Sequence, residues 1–77
     1  MIGLESSIGR QFKVITLSKL SRVQRESLYV RGILPGRTLV LVHISPLGDP
    51  IVVQVATRKF ALKHALWSKL ELEMLSQ

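Results

Sequence analysis

Two apolar runs rich in β-branched residues, "TLVLVHI" (residues 38–44) and "IVVQVAT" (residues 51–57), are separated only by "SPLGDP". Short runs of this kind, bounded by Pro and Gly, favour β-strands. Two strands so close in sequence are expected to form an antiparallel pair. The connection is unusual, because it carries two prolines and a leucine where hairpin turns mostly use Gly, Asn or Asp.

A strand and a capped helix are predicted before this pair. "FKVITL" (residues 12–17) alternates and is rich in strand-forming residues. In "LSRVQRESLYVRGI", Ser21 and Gln24 have the spacing of a capping box, which marks a helix start. Gly32 can adopt the left-handed conformation at the helix end, with Ile33 folding back onto Leu28.

The segment "LPGR" (residues 34–37) predicts a type II turn between the helix and the next strand. Pro35 sets φ at the second position of the turn, and Gly36 accepts a positive φ at the third. These two residues, with Gly32, Gly48 and Pro50, are therefore predicted to determine turns of the fold.

The C-terminal part predicts the remaining elements. A turn around Arg58 and Lys59 leads into residues 60–62, which can finish a strand; residues 64–69 form about one helical turn. "LELEML" (residues 70–75) alternates and is the last strand. We therefore predict a mainly β, single domain over residues 1–77: a small SH3-like five-stranded barrel, with one helix after the first strand and a short helical turn before the last.

Both central strands carry apolar residues on their two faces. In the first, Val40 and Val42 share one face, and Leu39 and Leu41 share the other. We expect Leu39 and Leu41 to face outward. Such an apolar excess in a small chain indicates a protein interface.

The composition excludes some functions and leaves others open. The 77 residues carry a net charge of +6, 47% are hydrophobic, and none is cysteine, so disulfides and thiolate zinc sites are excluded. No signal peptide or membrane-spanning run is visible, which favours a cytoplasmic protein without membrane insertion. The excess charge suits an anionic partner.

Candidates for catalysis or metal binding are weak. Glu71 and Glu73 share a strand face, but a solvated face explains them, and we assign no catalytic residue, no cofactor and no metal ligand. His43, His64 and Asp49 lack a close metal-site spacing, although a small metal sensor stays an alternative. A basic nucleic-acid-binding barrel is another, since basic residues lie along the helix and near the fourth strand: Arg22, Arg25, Arg31, Arg58, Lys59 and Lys63.

The loop "SPLGDP" is the best candidate for a contact site. Pro46 and Pro50 fix two φ angles, Gly48 permits a sharp reversal, and the Asp49 carboxylate can accept nearby backbone N–H groups. We expect a pre-ordered loop with Leu47 near its tip. Either Leu47 docks a partner, at low entropic cost, or it folds back over the barrel.

"RGILPG" (residues 31–36), "SPLGDPI" (residues 45–51) and "ALKHALWSKLEL" (residues 61–72) together resemble the FeoA family of bacterial ferrous iron transport proteins. The resemblance extends over residues 12–74. It departs mildly from the family pattern at residues 62–64.

The resemblance implies an SH3-like barrel and a non-enzymatic accessory role in ferrous iron uptake. The implied partner is the membrane transporter FeoB, through its cytoplasmic GTP-binding domain or an adjoining segment, rather than nucleic acid; weak self-association stays open. The implied location is cytoplasmic, peripheral at the inner membrane through this partner. The residues that we predict to bind the partner are Leu28, Leu34, Leu39, Leu41, Pro46, Leu47 and Asp49.

Overall fold

The computed structural model describes residues 4–75, which form a five-stranded antiparallel sheet with three short helical segments. The described residues begin with a 3-10 helix, which the sequence does not predict. The elements in chain order are the 3-10 helix Leu4–Ser7, β1 (Gln11–Thr16), α1 (Arg22–Tyr29), β2 (Thr38–Ile44), β3 (Ile51–Val55), β4 (Arg58–Leu62), α2 (His64–Trp67) and β5 (Glu71–Met74).

The strands lie in the order β4-β3-β2-β1-β5. Strands β2, β3 and β4 follow one another as a meander, and β5 returns to pair with β1. Helix α1 fills the connection from β1 to β2. This arrangement confirms the mainly β, SH3-like fold that the sequence predicts.

Helix α1 begins and ends where the sequence predicts. The Ser21 hydroxyl accepts a hydrogen bond from the Gln24 amide, and the Gln24 side chain accepts one from the Ser21 amide. At the other end, the Gly32 amide donates to the Tyr29 carbonyl and the Ile33 amide donates to the Leu28 carbonyl, at 2.9 and 3.0 Å. This is the Schellman hydrogen-bond pattern, and it closes the helix.

The core is formed by inward-facing side chains of strands β1 to β4 and the segments that connect them, with Leu28 from α1 and Trp67 from α2. Phe12 and Trp67 meet edge to face with ring centroids 5.7 Å apart. The aliphatic side chains around them come from nearly every element of residues 4–75. The buried core residues are Phe12, Val14, Leu17, Leu20, Leu28, Ile33, Leu39, Leu41, Ile51, Val53, Val55, Leu62, Trp67 and Leu70.

Strand β2 has the opposite orientation to the one that we expected. Leu39 and Leu41 are 1% and 0% exposed, so the prediction that they face outward is wrong. Val40 and Val42 occupy the outer face and are half-buried. Because both faces of β2 are aliphatic, alternation alone does not select the inner one, and a one-residue change inverts every side chain.

The turn between β3 and β4 also differs from the prediction. It consists of Ala56 and Thr57, and Arg58 and Lys59 belong to β4. Ala56 has φ +55°, while Thr57 does not have a positive φ. A two-residue hairpin with a positive φ only at its first loop position resembles a type II′ turn, where Gly is preferred. Since Ala stands there, the sequence shows no turn signal.

The type II turn before β2 is confirmed. Gly36 has φ +90°, and the Arg37 amide donates to the Leu34 carbonyl at 3.1 Å. The turn is also bonded to β1, because the Gly36 amide donates to the Val14 carbonyl at 2.8 Å. The turn thereby sets where β2 begins relative to β1.

Replacing Gly36 by Val should destabilise the fold by about 2 kcal/mol, because a β-branched residue resists a positive φ. Apart from the two chain neighbours, no atom lies within 4 Å of a Cβ added at Gly36, so the expected loss comes from the backbone conformation. Urea unfolding measures the effect. Gly36→Asn is the control and should lose less stability, since Asn tolerates this conformation; equal losses would contradict the turn assignment.

Replacing Ala56 by Gly should stabilise the protein by about 0.5–1 kcal/mol, because Gly removes the left-handed strain at the first turn position. Ala56→Val should lower the stability instead. Thermal unfolding of the three proteins gives the order. A melting temperature for Ala56→Gly below that of the unmodified chain would contradict this prediction.

Candidate functional site

The loop of residues 45–50 is closed by backbone hydrogen bonds at its base. The Ser45 amide donates to the Pro50 carbonyl at 3.2 Å, and the Gly48 amide donates to the Ser45 carbonyl at 2.7 Å. Pro46 lies at the second position of this inner turn, where its fixed φ is favoured. Gly48 has φ +85°, which reverses the chain toward β3. The loop therefore has the internal order that its prolines and glycine predict.

A second attachment joins the loop to α2. Asp49 Oδ1 accepts a hydrogen bond of 2.9 Å from the His64 amide, fifteen residues further along the chain. Lys63, the residue that precedes α2, makes no side-chain cap of its own. Asp49 therefore caps this helix from outside, as Asp does at helix starts. We had expected Asp49 to accept N–H groups of its own loop; the bond instead connects distant segments.

Leu47 occupies the tip of this loop and is 95% exposed. Pro46 and Asp49 beside it are exposed as well. Of the two orientations considered for Leu47, the one pointing away from the barrel is therefore confirmed. An apolar side chain on an ordered, doubly attached loop can bind a partner with little loss of conformational entropy.

Three of the predicted contact residues lie in the core instead. Leu28 and Leu41 are 0% exposed, and Leu39 is 1% exposed. Their side chains belong to the hydrophobic core, so they are not accessible to a partner at the surface. The prediction of direct contact is corrected for all three.

Leu34 is half-buried and lies away from the loop tip. It precedes β2, whereas the loop of residues 45–50 follows β2. Seven extended residues span about 20 Å. The structure therefore brings together Pro46, Leu47 and Asp49, but it does not bring Leu34 to them.

The residues predicted to determine turns all lie at chain reversals. Gly32 ends α1, and an added Cβ there would lie 3.4 Å from Val55 Cγ1. Pro35 and Gly36 form the turn before β2. Gly48 and Pro50 shape the loop, and the Pro50 carbonyl closes its base.

A second exposed apolar surface lies on α1, a helix that the sequence also suggests for partner contact, and it is formed by residues that the sequence does not single out. Val23 and Val30, at the two ends of α1, are 76% and 82% exposed. They are seven residues apart and so lie on one face of the helix. Leu28 faces the core, and its burial shows that the side of α1 with Val23 and Val30 remains outside.

Features of an enclosed chemical site are absent from the described residues. Residues 4–75 contain no pocket, and they hold no group of three His, Asp or Glu side chains arranged to bind a metal ion. None of the helices in this part of the chain is long and apolar enough to cross a membrane. The most prominent feature of the surface is the exposed loop tip.

The fold and the loop define a small SH3-like β protein with an exposed apolar loop tip. The model of the FeoA domain matches residues 5–74. The chain belongs to the FeoA family.

Solved structures agree with this assignment. The iron(II) transport protein A of Clostridium thermocellum is 29% identical, with a TM-score of 0.82 over 88% of this chain. This chain covers 41% of that protein. A FeoA-like protein from Clostridium acetobutylicum is 25% identical, with a TM-score of 0.79, covering 99% of this chain and 88% of that one. A Pseudomonas aeruginosa protein is 33% identical, with a TM-score of 0.68 and coverages of 90% and 93%.

Replacing Asp49 by Ala should destabilise the fold by about 1 kcal/mol, because the His64 amide loses its acceptor. The amide of His64 should also exchange faster with solvent. Urea unfolding and amide hydrogen exchange measure the two effects. Asp49→Asn retains a side-chain oxygen and should stay near the unmodified protein; an Ala variant of unchanged stability and exchange would contradict the capping role.

Proposed function

We propose that this protein is a non-enzymatic accessory protein of bacterial ferrous iron transport that binds the cytoplasmic part of the transporter FeoB. Membership of the FeoA family supports the transport role. The Clostridium thermocellum relative is described as an iron(II) transport protein. The observation that carries the binding role is the exposure of Leu47 on a loop that is closed between Ser45 and Pro50 and bonded to α2.

The loop has the properties of a docking element. A few side chains that fill pockets of the partner, surrounded by residues that exclude water, carry most of the affinity of an interface. Trp, Tyr and Arg are the commonest of them, and an exposed leucine can serve as an anchor through the apolar area that it buries. Leu47 is such an anchor, and Pro46 and Asp49 would surround it. Three hydrogen bonds with donor–acceptor distances of 2.7–3.2 Å already fix the backbone of the loop. Binding would therefore restrict few further backbone torsions.

The net charge of +6 supports the same role. Excess positive charge accelerates encounter with an acidic protein domain and favours a position near anionic lipid headgroups. The basic residues of the protein would mainly set the association rate, and Leu47 would set the lifetime of the complex. We propose a cytoplasmic location, peripheral at the inner membrane through FeoB.

Replacing Leu47 by Ala should weaken binding to the purified cytoplasmic part of FeoB at least tenfold, because burying a leucine contributes about 1.5–3 kcal/mol. The stability of the fold should hardly change, since Leu47 is 95% exposed. Titration calorimetry measures the affinity, and ferrous iron uptake by cells carrying the variant measures the consequence.

The control is Val30→Ala, which shortens another highly exposed aliphatic side chain, at the C-terminal end of α1. It should leave the affinity within about twofold of the original. If Val30→Ala weakens binding and Leu47→Ala does not, the docking surface is α1 and the proposed site is wrong. If the two purified proteins do not associate at all, the FeoB proposal fails.

A further inference from the structure

The free edge of β4 is a surface that the loop site does not use. Strand β4 pairs only with β3 in the sheet of the described residues, so its other edge is unpaired. Val55 and Arg58 flank the two-residue turn and oppose each other. Residues that flank such a turn exchange hydrogen bonds, and hydrogen-bonded pairs then alternate along the ladder.

This alternation determines which backbone groups are free. Arg58, Phe60 and Leu62 direct their N–H and C=O groups toward β3. Lys59 and Ala61 direct theirs away from the sheet, and both residues are exposed. The edge therefore presents two unpaired donors and two unpaired acceptors to an incoming strand.

The edge is also strongly basic. Residues 58–63 contain three cationic side chains, Arg58, Lys59 and Lys63, and no acidic one. The neighbouring strands β3 and β2 contain no Asp, Glu, Lys or Arg. No charge on these strands offsets Arg58 and Lys59, and the Asp49 carboxylate, bonded to the His64 amide, lies at the other end of the edge beside Lys63.

Two of the cations near this edge are held in place by an aromatic ring. The guanidinium groups of Arg58 and Arg31 lie 5.6 and 5.8 Å from the centroid of the Phe60 ring. Arg31 also donates to the Ser27 carbonyl at 3.0 Å. Ordered guanidinium groups can bind carboxylates with less entropic loss than mobile lysines can.

We propose that the free edge of β4 binds an acidic, extended segment of a partner protein, which adds a sixth strand to the sheet. The backbone groups of Lys59 and Ala61 would form the ladder, and the carboxylates of the segment would pair with the cations around them. This site is separate from Leu47 and does not depend on the proposed iron transport role.

A second copy of the chain is the other candidate for this edge. Strand β5, at the opposite edge of the sheet, carries Glu71 and Glu73. Pairing β5 of one copy with β4 of the next would leave the same two edges free at the ends of the assembly. Such head-to-tail contacts produce open polymers unless the rotation closes a ring, so we favour a partner segment.

The test is an NMR titration of the labelled full-length protein with a blocked peptide of alternating glutamate and valine, at low salt. We expect the Lys59 and Ala61 amides to shift and to exchange more slowly with solvent. A peptide of alternating lysine and valine is the control and should not bind. Protection at these two amides supports the proposal; shifts spread over all basic residues without this protection overturn it.

Two variants test the site. Ala61→Pro removes an N–H group that points away from β3, and Pro is tolerated at such edge positions. This variant should bind the acidic peptide at least tenfold more weakly than the unmodified protein does, whereas Ala61→Val should bind it with unchanged affinity. Lys59→Glu provides a second test that does not alter the backbone, and it should also weaken binding at least tenfold. Unchanged affinity in Lys59→Glu would overturn the proposal.

Competing occupants have distinct outcomes. Sedimentation that shows self-association without peptide, abolished by Lys59→Glu, would assign the edge to a second copy and overturn the partner proposal. Duplex DNA and vesicles of anionic lipid are tested in the same way. If either protects the Lys59 and Ala61 amides to the same degree as the acidic peptide, the proposal is also overturned. The proposal is supported if the protein sediments as a monomer and neither DNA nor vesicles protect these two amides.

Discussion

The buried face of the β2–β3 hairpin is the constraint on which the rest of this structure depends. Leu39 and Leu41 from β2 pack in the core with Ile51 and Val53 from β3, and all four are almost fully buried. A chain of 77 residues buries a smaller share of its surface than a larger domain does, so it must use its largest aliphatic side chains inside. Leu39 and Leu41 are buried in the core, and the apolar side chain that is almost fully exposed on this hairpin is Leu47, in the connecting loop.

The loop keeps that position because it is closed on itself and bonded to α2. Its base is closed between Ser45 and Pro50, and Asp49 attaches it to the start of α2. Strand β4, which leads into α2, pairs with the edge of β3 opposite to the one that pairs with β2. The exposed leucine and the free edge of β4 are therefore held by the same framework, although they present different chemistry: an apolar anchor in one case, and unpaired backbone groups with positive charge in the other.

Much of this framework follows from local sequence signals. The capping box at Ser21 and Gln24, the Schellman end at Gly32 and the turn at Gly36 each use residues with one strong conformational preference, and all three are confirmed. The same holds for the order within "SPLGDP". The FeoA assignment, which depends on these motifs at their spacing, is confirmed as well.

The errors arose where no local preference exists. Both faces of β2 are aliphatic, so its orientation depends on contacts with β1 and β3 that the strand itself does not encode. Ala56 adopts a positive φ without being glycine, because the β3–β4 pairing imposes the turn. The bond from the His64 amide to Asp49 joins residues fifteen positions apart, and no spacing rule indicates it.

The central claim is that the ordered loop around Leu47 is the surface that meets the transporter. The most direct measurement is an NMR titration of the isotope-labelled protein with the unlabelled cytoplasmic part of FeoB, following the Leu47 methyl groups and the amides of residues 45–50. The account predicts that these signals shift or broaden first, while the methyl groups of Leu39 and Leu41 in the core change little. Changes centred on the exposed face of α1, with the loop signals unmoved, would contradict it.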